Sequence, residues 1–133
     1  MTDNGLVTVA SRFSVRETID RLVHEVATRG LVVFARIDHA AGAASVGMAL
    51  RPTELLIFGN PKGGTPLMQD RQTAGIDLPV KALAWEDADG RTWLSYNDAG
   101  WIAARHALGA ASAEAVKALA AGMSVVTGAA ASP

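Results

Sequence analysis

Apolar residues recur along this chain with two different periods, and the switches between them mark out the elements. Leu6-Val7-Thr8-Val9-Ala10 is a short β-prone run that Ser11-Arg12-Phe13 extends. From Ser14 the period becomes helical. Val15, Ile19, Leu22, Val23 and Val26 form one apolar stripe, opposite Arg16, Glu17, Asp20, Arg21, His24 and Glu25. Ser14 and Glu17 make an S-x-x-E capping box, in which each side chain satisfies a backbone N–H at the helix start. Glu17 with Arg21, and Glu25 with Arg29, are spaced for i,i+4 pairing. Gly30 ends the helix in the left-handed conformation. Leu31–Ile37 is then almost continuously apolar, the pattern of a strand covered on both faces.

The small residues of 40–47 predict a short helix that packs closely on a neighbour, and 53–58 reads as a buried strand. Gly59–Pro66 is read as a loop, with a helix start after FGNPK as an alternative. One or two helical turns are expected over 67–72, broken by Gly75. Pro79–Glu86 and Arg91–Asn97 predict a hairpin turning at Asp87-Ala88-Asp89-Gly90. In its second arm Thr92, Leu94 and Tyr96 share one face, and Trp93, Ser95 and Asn97 the other. Asn97 or Asp98 caps a short helix carrying Trp101, Ile102 and Arg105. Ser112 opens a last helix over about 112–127, with Ala115, Val116, Leu119, Met123 and Val126 as its stripe. Gly128 is expected to end it, and both chain ends to fray. Hairpins with segregated helices predict one α+β domain over residues 1–133, an antiparallel-rich sheet with its helices on one face. The open sheet face calls for a cover, and a second copy is the simplest one, so a homodimer is expected.

Composition narrows the chemistry. The 133 residues contain no cysteine, which excludes disulfides, thiolate metal sites and cysteine nucleophiles. A formal net charge of −1 with interspersed charges gives no nucleic-acid footprint. No apolar run approaches about 20 residues, so no membrane span is expected. The start lacks the basic and apolar regions of a secretory signal, and the cytoplasm is the expected compartment.

HAAGAASVGMALRPTELLIFGNPKGGTPLMQ and, further on, AGIDLPVKALAWEDADGRTWLSYND closely resemble the domain-of-unknown-function 302 family, over about Val7 to Leu108. The resemblance implies a β-α-β4-α arrangement, similar in outline to one TATA-binding-protein repeat, and pairing as homodimers. It implies no substrate, cofactor or catalytic residue. The polar positions within the shared phrases are His39, Asn60, Lys62, Asp77 and Lys81.

The densest candidate chemistry is FGNPKGGTP. Its amides and Lys62 can cradle an anion, while the plainer reading makes Asn60-Pro61 a turn and Gly63-Gly64 a chain reversal. His39, beside Asp38, can act as a general base or simply fix the next turn. Asp77 can face Lys62 or His39 across a cleft, or form an Asx-type turn. No two-histidine metal spacing occurs, so no metal site is assigned. Arg105 reads as solvated helix surface. The ligand-binding candidates are therefore His39, Asn60, Lys62, Thr65 and Asp77, gathered at one concavity around a small polar or anionic ligand. The alternatives are an interaction protein without such a site, or an enzyme using a His39–carboxylate pair.

Overall fold

The computed structural model describes residues 4–133; the frayed start expected for residues 1–4 lies, except for Asn4, outside them. Five strands form one sheet: β1 (Leu6–Ser11), β2 (Val32–Asp38), β3 (Thr53–Gly59), β4 (Val80–Glu86) and β5 (Thr92–Asn97). Their order is β1-β5-β4-β3-β2 and every neighbouring pair is antiparallel. Strands β2 to β5 are a meander. β1 joins its far edge, so α1 (Val15–Thr28) carries the chain from one edge of the sheet to the other.

Helix α1 starts where its capping signal lies. The Ser14 hydroxyl accepts from the Glu17 N–H at 3.1 Å, which satisfies one of the first-turn donors. Val15, Ile19, Leu22 and Val26 are buried against Leu56, Phe58, Ala82, Ala84, Leu94 and Tyr96 of the sheet. Helix α5 (Ala113–Ala131) packs beside α1 and adds Met123, Val126 and Ala130 to this core. Both long helices thus cover one sheet face. The hairpin turn also forms as expected: Asp87 accepts from the N–H groups of Asp89 and Arg91, and Gly90 takes a φ of 81°. On the open face Trp85 and Trp93 are cross-strand partners with ring centroids 6.3 Å apart. Trp101 lies elsewhere, on α4 (Ala99–Arg105), packed on Gly5.

Four expectations are corrected. The run Leu31–Ile37 is not covered on both faces. β2 is an edge strand, with Val32 48% and Phe34 52% exposed. A β-bulge between Val33 and Ala35 makes Phe34 the extra residue, because Val33 pairs with Phe58 and Ala35 with Ile57. The presumed loop after β3 is helical: α3 runs Pro61–Asp70, with Asn60 as N-cap and Gly63-Gly64 inside it. Helix α2 (His39–Ser45) forms but buries none of its residues. Finally, α5 passes Gly128 and continues to Ala131, with Ala130 and Ala131 buried. Its last carbonyls are held by α1 and the chain before it. Arg21 donates to Ala130 O at 2.9 Å and Ala129 O at 3.1 Å, and Arg12 N–H donates to Ala131 O at 3.0 Å. Arg21 serves this end, stacked 4.1 Å over Phe13, rather than the i,i+4 partner Glu17.

Candidate functional site

The end of the sheet where β3 runs into α3 holds a cavity of about 490 Å³. Its wall is built by five parts of the chain. Phe58 and Val80 come from the strand ends, Leu78 from the approach to β4, and Leu119, Met123 and Val126 from α5. Leu31 and the bulge residue Phe34 close the β2 side, and Met68 the α3 side. The rim carries Asn60, Lys62 and Thr65, and Lys62 alone among the lining residues is charged. No ion pair of Lys62 is found among the described residues.

The first turn of α3 leaves no nest of free amides. Pro61 has no N–H. The Lys62 N–H donates to Asn60 Oδ1 at 3.0 Å, and the N–H groups of Gly63 and Gly64 both reach Asn60 O. A single side chain and its own carbonyl therefore consume the donors on which an anion cradle depends. What remains for a ligand's charge is the Lys62 ammonium and the positive end of the helix dipole.

Of the five sequence candidates, the structure brings Asn60, Lys62 and Thr65 together at this cavity and leaves His39 and Asp77 away from it. His39 follows Asp38, which pairs with Glu54, whereas Asn60 follows Gly59, which pairs with Val32. Glu54 and Gly59 are five residue steps apart along β3, roughly 17 Å at about 3.3 Å per residue. The Asp38 carboxylate accepts from the Ala41 N–H at 2.9 Å, which makes it the cap of α2.

Asp77 ends a 3-10 helix over Gln72–Asp77, and its carboxylate is bound by Arg105 and His106 rather than by Lys62. His106 Nε2 lies 2.6 Å from Asp77 Oδ2, and Arg105 Nη1 reaches both carboxylate oxygens at 3.0 and 3.1 Å. His106 Nδ1 in turn meets Thr73 Oγ1 at 2.9 Å. Arg105, read as solvated surface, is thus an anchor. The enzyme reading required His39 beside Asp38 or Asp77, and both carboxylates have other partners.

Three further groups of polar contacts were not legible in advance. Arg36 on β2 bridges Glu54 on β3 at 2.9 Å and Asp20 on α1 at 2.7 Å, so the buried Glu54 carboxylate is paired. Asp70, at the end of α3, accepts from the Ser112 hydroxyl at 2.7 Å and the Gly109 N–H at 2.9 Å. The Ser112 bond, then the Gly109 bond, holds its carboxyl below the usual aspartate range. The Trp93 indole N–H, 2.8 Å from Asp87 Oδ2, heads the donors that do the same for Asp87.

Fold and cavity together define a small α+β domain with an antiparallel five-stranded sheet, two long helices on one face and an apolar pocket at one end. The chain belongs to the family described as domain of unknown function DUF302, whose profile matches residues 7–126. That match extends beyond the stretch resembling the family in sequence, through most of α5. A crystal structure of an uncharacterized conserved DUF302 protein from Bacillus stearothermophilus shares the fold. Its TM-score is 0.84 over 95% of this chain and 98% of that one, at 17% identity. Proteins named fluoride-specific ion channel FluC 1 in Brucella suis biovar 1 and Brucella abortus biovar 1 are 55% identical over 125 residues, 94% of this chain. The chain spans about half of their length, 49% and 46%. No helix among the described residues is long and apolar enough to cross a membrane.

Proposed function

We propose that this domain is a dimeric binding module that takes the apolar body of a small molecule into the cavity between α3, α5 and the sheet end. The observation that carries the reading is the wall: a hollow of about 490 Å³ lined by Phe58, Leu78, Val80, Leu119 and Met123, with polar groups confined to its rim. Small-molecule sites have this build, an apolar pocket of about 300–1,000 Å³ with a few polar groups placed to orient the ligand. The rim residues Asn60, Lys62 and Thr65 are the part of the expected polar site that this reading keeps. Gly122 offers a direct test, because a Cβ placed there meets nothing within 4 Å and the residue lines the cavity. A neutral fluorescent probe, N-phenyl-1-naphthylamine, is expected to bind saturably at one site per chain, and Gly122→Phe to abolish that binding with the fold intact by circular dichroism. Probe binding unaffected by Gly122→Phe overturns the reading.

The homodimer is supported by apolar side chains left in solvent along β2 and the following segment, including Val32, Ile37, Met48 and Leu50. Exposed apolar side chains mark interaction sites where they join into one patch. Sedimentation equilibrium at micromolar concentration is expected to give a dimer, and a monomer removes this part of the proposal. The proposed compartment is the cytoplasm, tested by fractionating cells that express the tagged chain.

A second reading, an interaction domain without a small-molecule site, draws on the Brucella relatives. Their additional length can hold the membrane-spanning part that the name of an ion channel requires, while the half matched here is an attached module. In the Brucella suis protein, deletion of the matched half is then expected to leave fluoride passage through vesicles intact. Loss of passage in a correctly inserted remainder counts against it.

A further inference from the structure

The cavity's wall and rim differ in character, and that difference bears on what enters. The wall offers no polar partner deep inside, so a ligand group that needs hydrogen bonds is unfavourable there. The rim offers one mobile positive charge, that of Lys62, which no carboxylate among the described residues neutralises. With the amides of the α3 start already consumed by Asn60, recognition rests on charge and not on a geometric fit to three oxygens. A lone ammonium of this kind suits a single anionic group held at the solvent boundary. The body's length is set on the β2 side of the cavity. There the bulge in β2 inserts Phe34 as an extra residue, at the cavity and half exposed. Bulges re-aim side chains in this way beside binding sites.

We propose that the ligand is a free amphiphilic monoanion, with its hydrocarbon body against Phe58, Leu119 and Met123 and its charge at Lys62, and that Phe34 is the specificity-determining wall that limits the body's length. This rests on the cavity being a binding site, as proposed above, and adds the ligand's charge class and its length limit.

The test compares three ten-carbon probes by titration calorimetry: decanoate, decanol and decyltrimethylammonium. Decanoate is expected to bind about tenfold tighter than either of the others, the effect of one unneutralised charge near a protein surface. Lys62→Gln is expected to bring decanoate level with decanol, and Lys62→Arg to restore the difference. Phe34→Ala is expected to shift the preference from decanoate towards tetradecanoate without changing the anion selectivity. Equal binding of all three probes, still abolished by Gly122→Phe, overturns the charge assignment and leaves the module reading standing. Binding of none of them overturns both. Binding to vesicles of phosphatidylglycerol without binding to decanoate overturns the free-ligand assignment in favour of a membrane lipid. An unchanged chain-length preference in Phe34→Ala removes the role of the bulge.

Discussion

His106 and Asp77 sit 29 positions apart in the chain and 2.6 Å apart in space, with the imidazole 6% and the carboxylate 12% exposed. The pair ties the end of the 3-10 helix to the end of α4, and Arg105 and Thr73 complete the contact. Asp77→Ala removes the acceptor for the nearly buried His106 N–H and releases Arg105. A donor stranded in this way costs about 1–3 kcal/mol. Urea unfolding of the variant is expected to show a loss of that size, with binding at the cavity unchanged. A stability equal to wild type removes the anchoring role.

Arg21 closes the last turn of α5 with two guanidinium hydrogen bonds to Ala129 and Ala130 carbonyls. Helix C-terminal carbonyls lack intrahelical partners, and hydrogen bonds to a charged group contribute about 1.5–3 kcal/mol. In Arg21→Met the amides of Thr127 to Ala131 are expected to lose hydrogen-exchange protection while those of the hairpin keep theirs. Protection unchanged at the C-terminus contradicts the assignment.

Gly122 lies inside α5, in helical conformation, with open space where a Cβ would stand. Glycine in a helix interior is about 0.8–1.0 kcal/mol less favourable than alanine. Gly122→Ala is expected to raise stability by about that amount in thermal unfolding. A loss of stability would mean that the position is more crowded than its geometry shows.

Asp70 gives the fold a predictable acid response. Its folded carboxyl titrates below the unfolded one, chiefly because Ser112 and then Gly109 donate to it. Its contribution is therefore fully present above the ordinary aspartate value and is lost as pH falls through the lowered folded value. Melting curves from pH 6 to pH 2 are expected to show wild type and Asp70→Asn converging at the acid end. Parallel curves would show that the carboxylate contributes nothing through its charge.

Local signals carried much of this fold. Ser14, Gly90, Asp98 and the helical stripe of α1 each act through neighbours within a few residues, so α1, the β4–β5 hairpin and α4 were readable. The error at α3 was also local. Asn60 followed by Pro61 is an N-cap and N1 signal, but two glycines and Pro66 in the next five positions favoured a loop reading. Strand β2 shows a different limit. Continuous apolar character is shared by a strand inside a sheet and an edge strand with an uncovered side, and periodicity cannot separate them.

The site was legible only where it was continuous in sequence. Asn60, Lys62 and Thr65 come from the start of one helix and reach the cavity together. The rest of the wall comes from β2, β4 and α5, and nothing local announced that Leu31, Leu119 and Val80 would meet. The reverse held for Asp77. A partner near Lys62 was reasonable from the shared phrases, yet its carboxylate is claimed by a histidine and an arginine from a different segment.

Among the described residues the opening strand pairs with β5 alone, Thr8 standing opposite Ser95, and the residue after it donates its N–H to the carbonyl of Ala131. During synthesis Leu6–Ser11 must therefore wait for β5, which follows every other strand in the chain. Strands β2 to β5 can zip up in order as they emerge, whereas β1 closes the sheet last, and the turn of α5 at Ala131 then ties down the chain before α1.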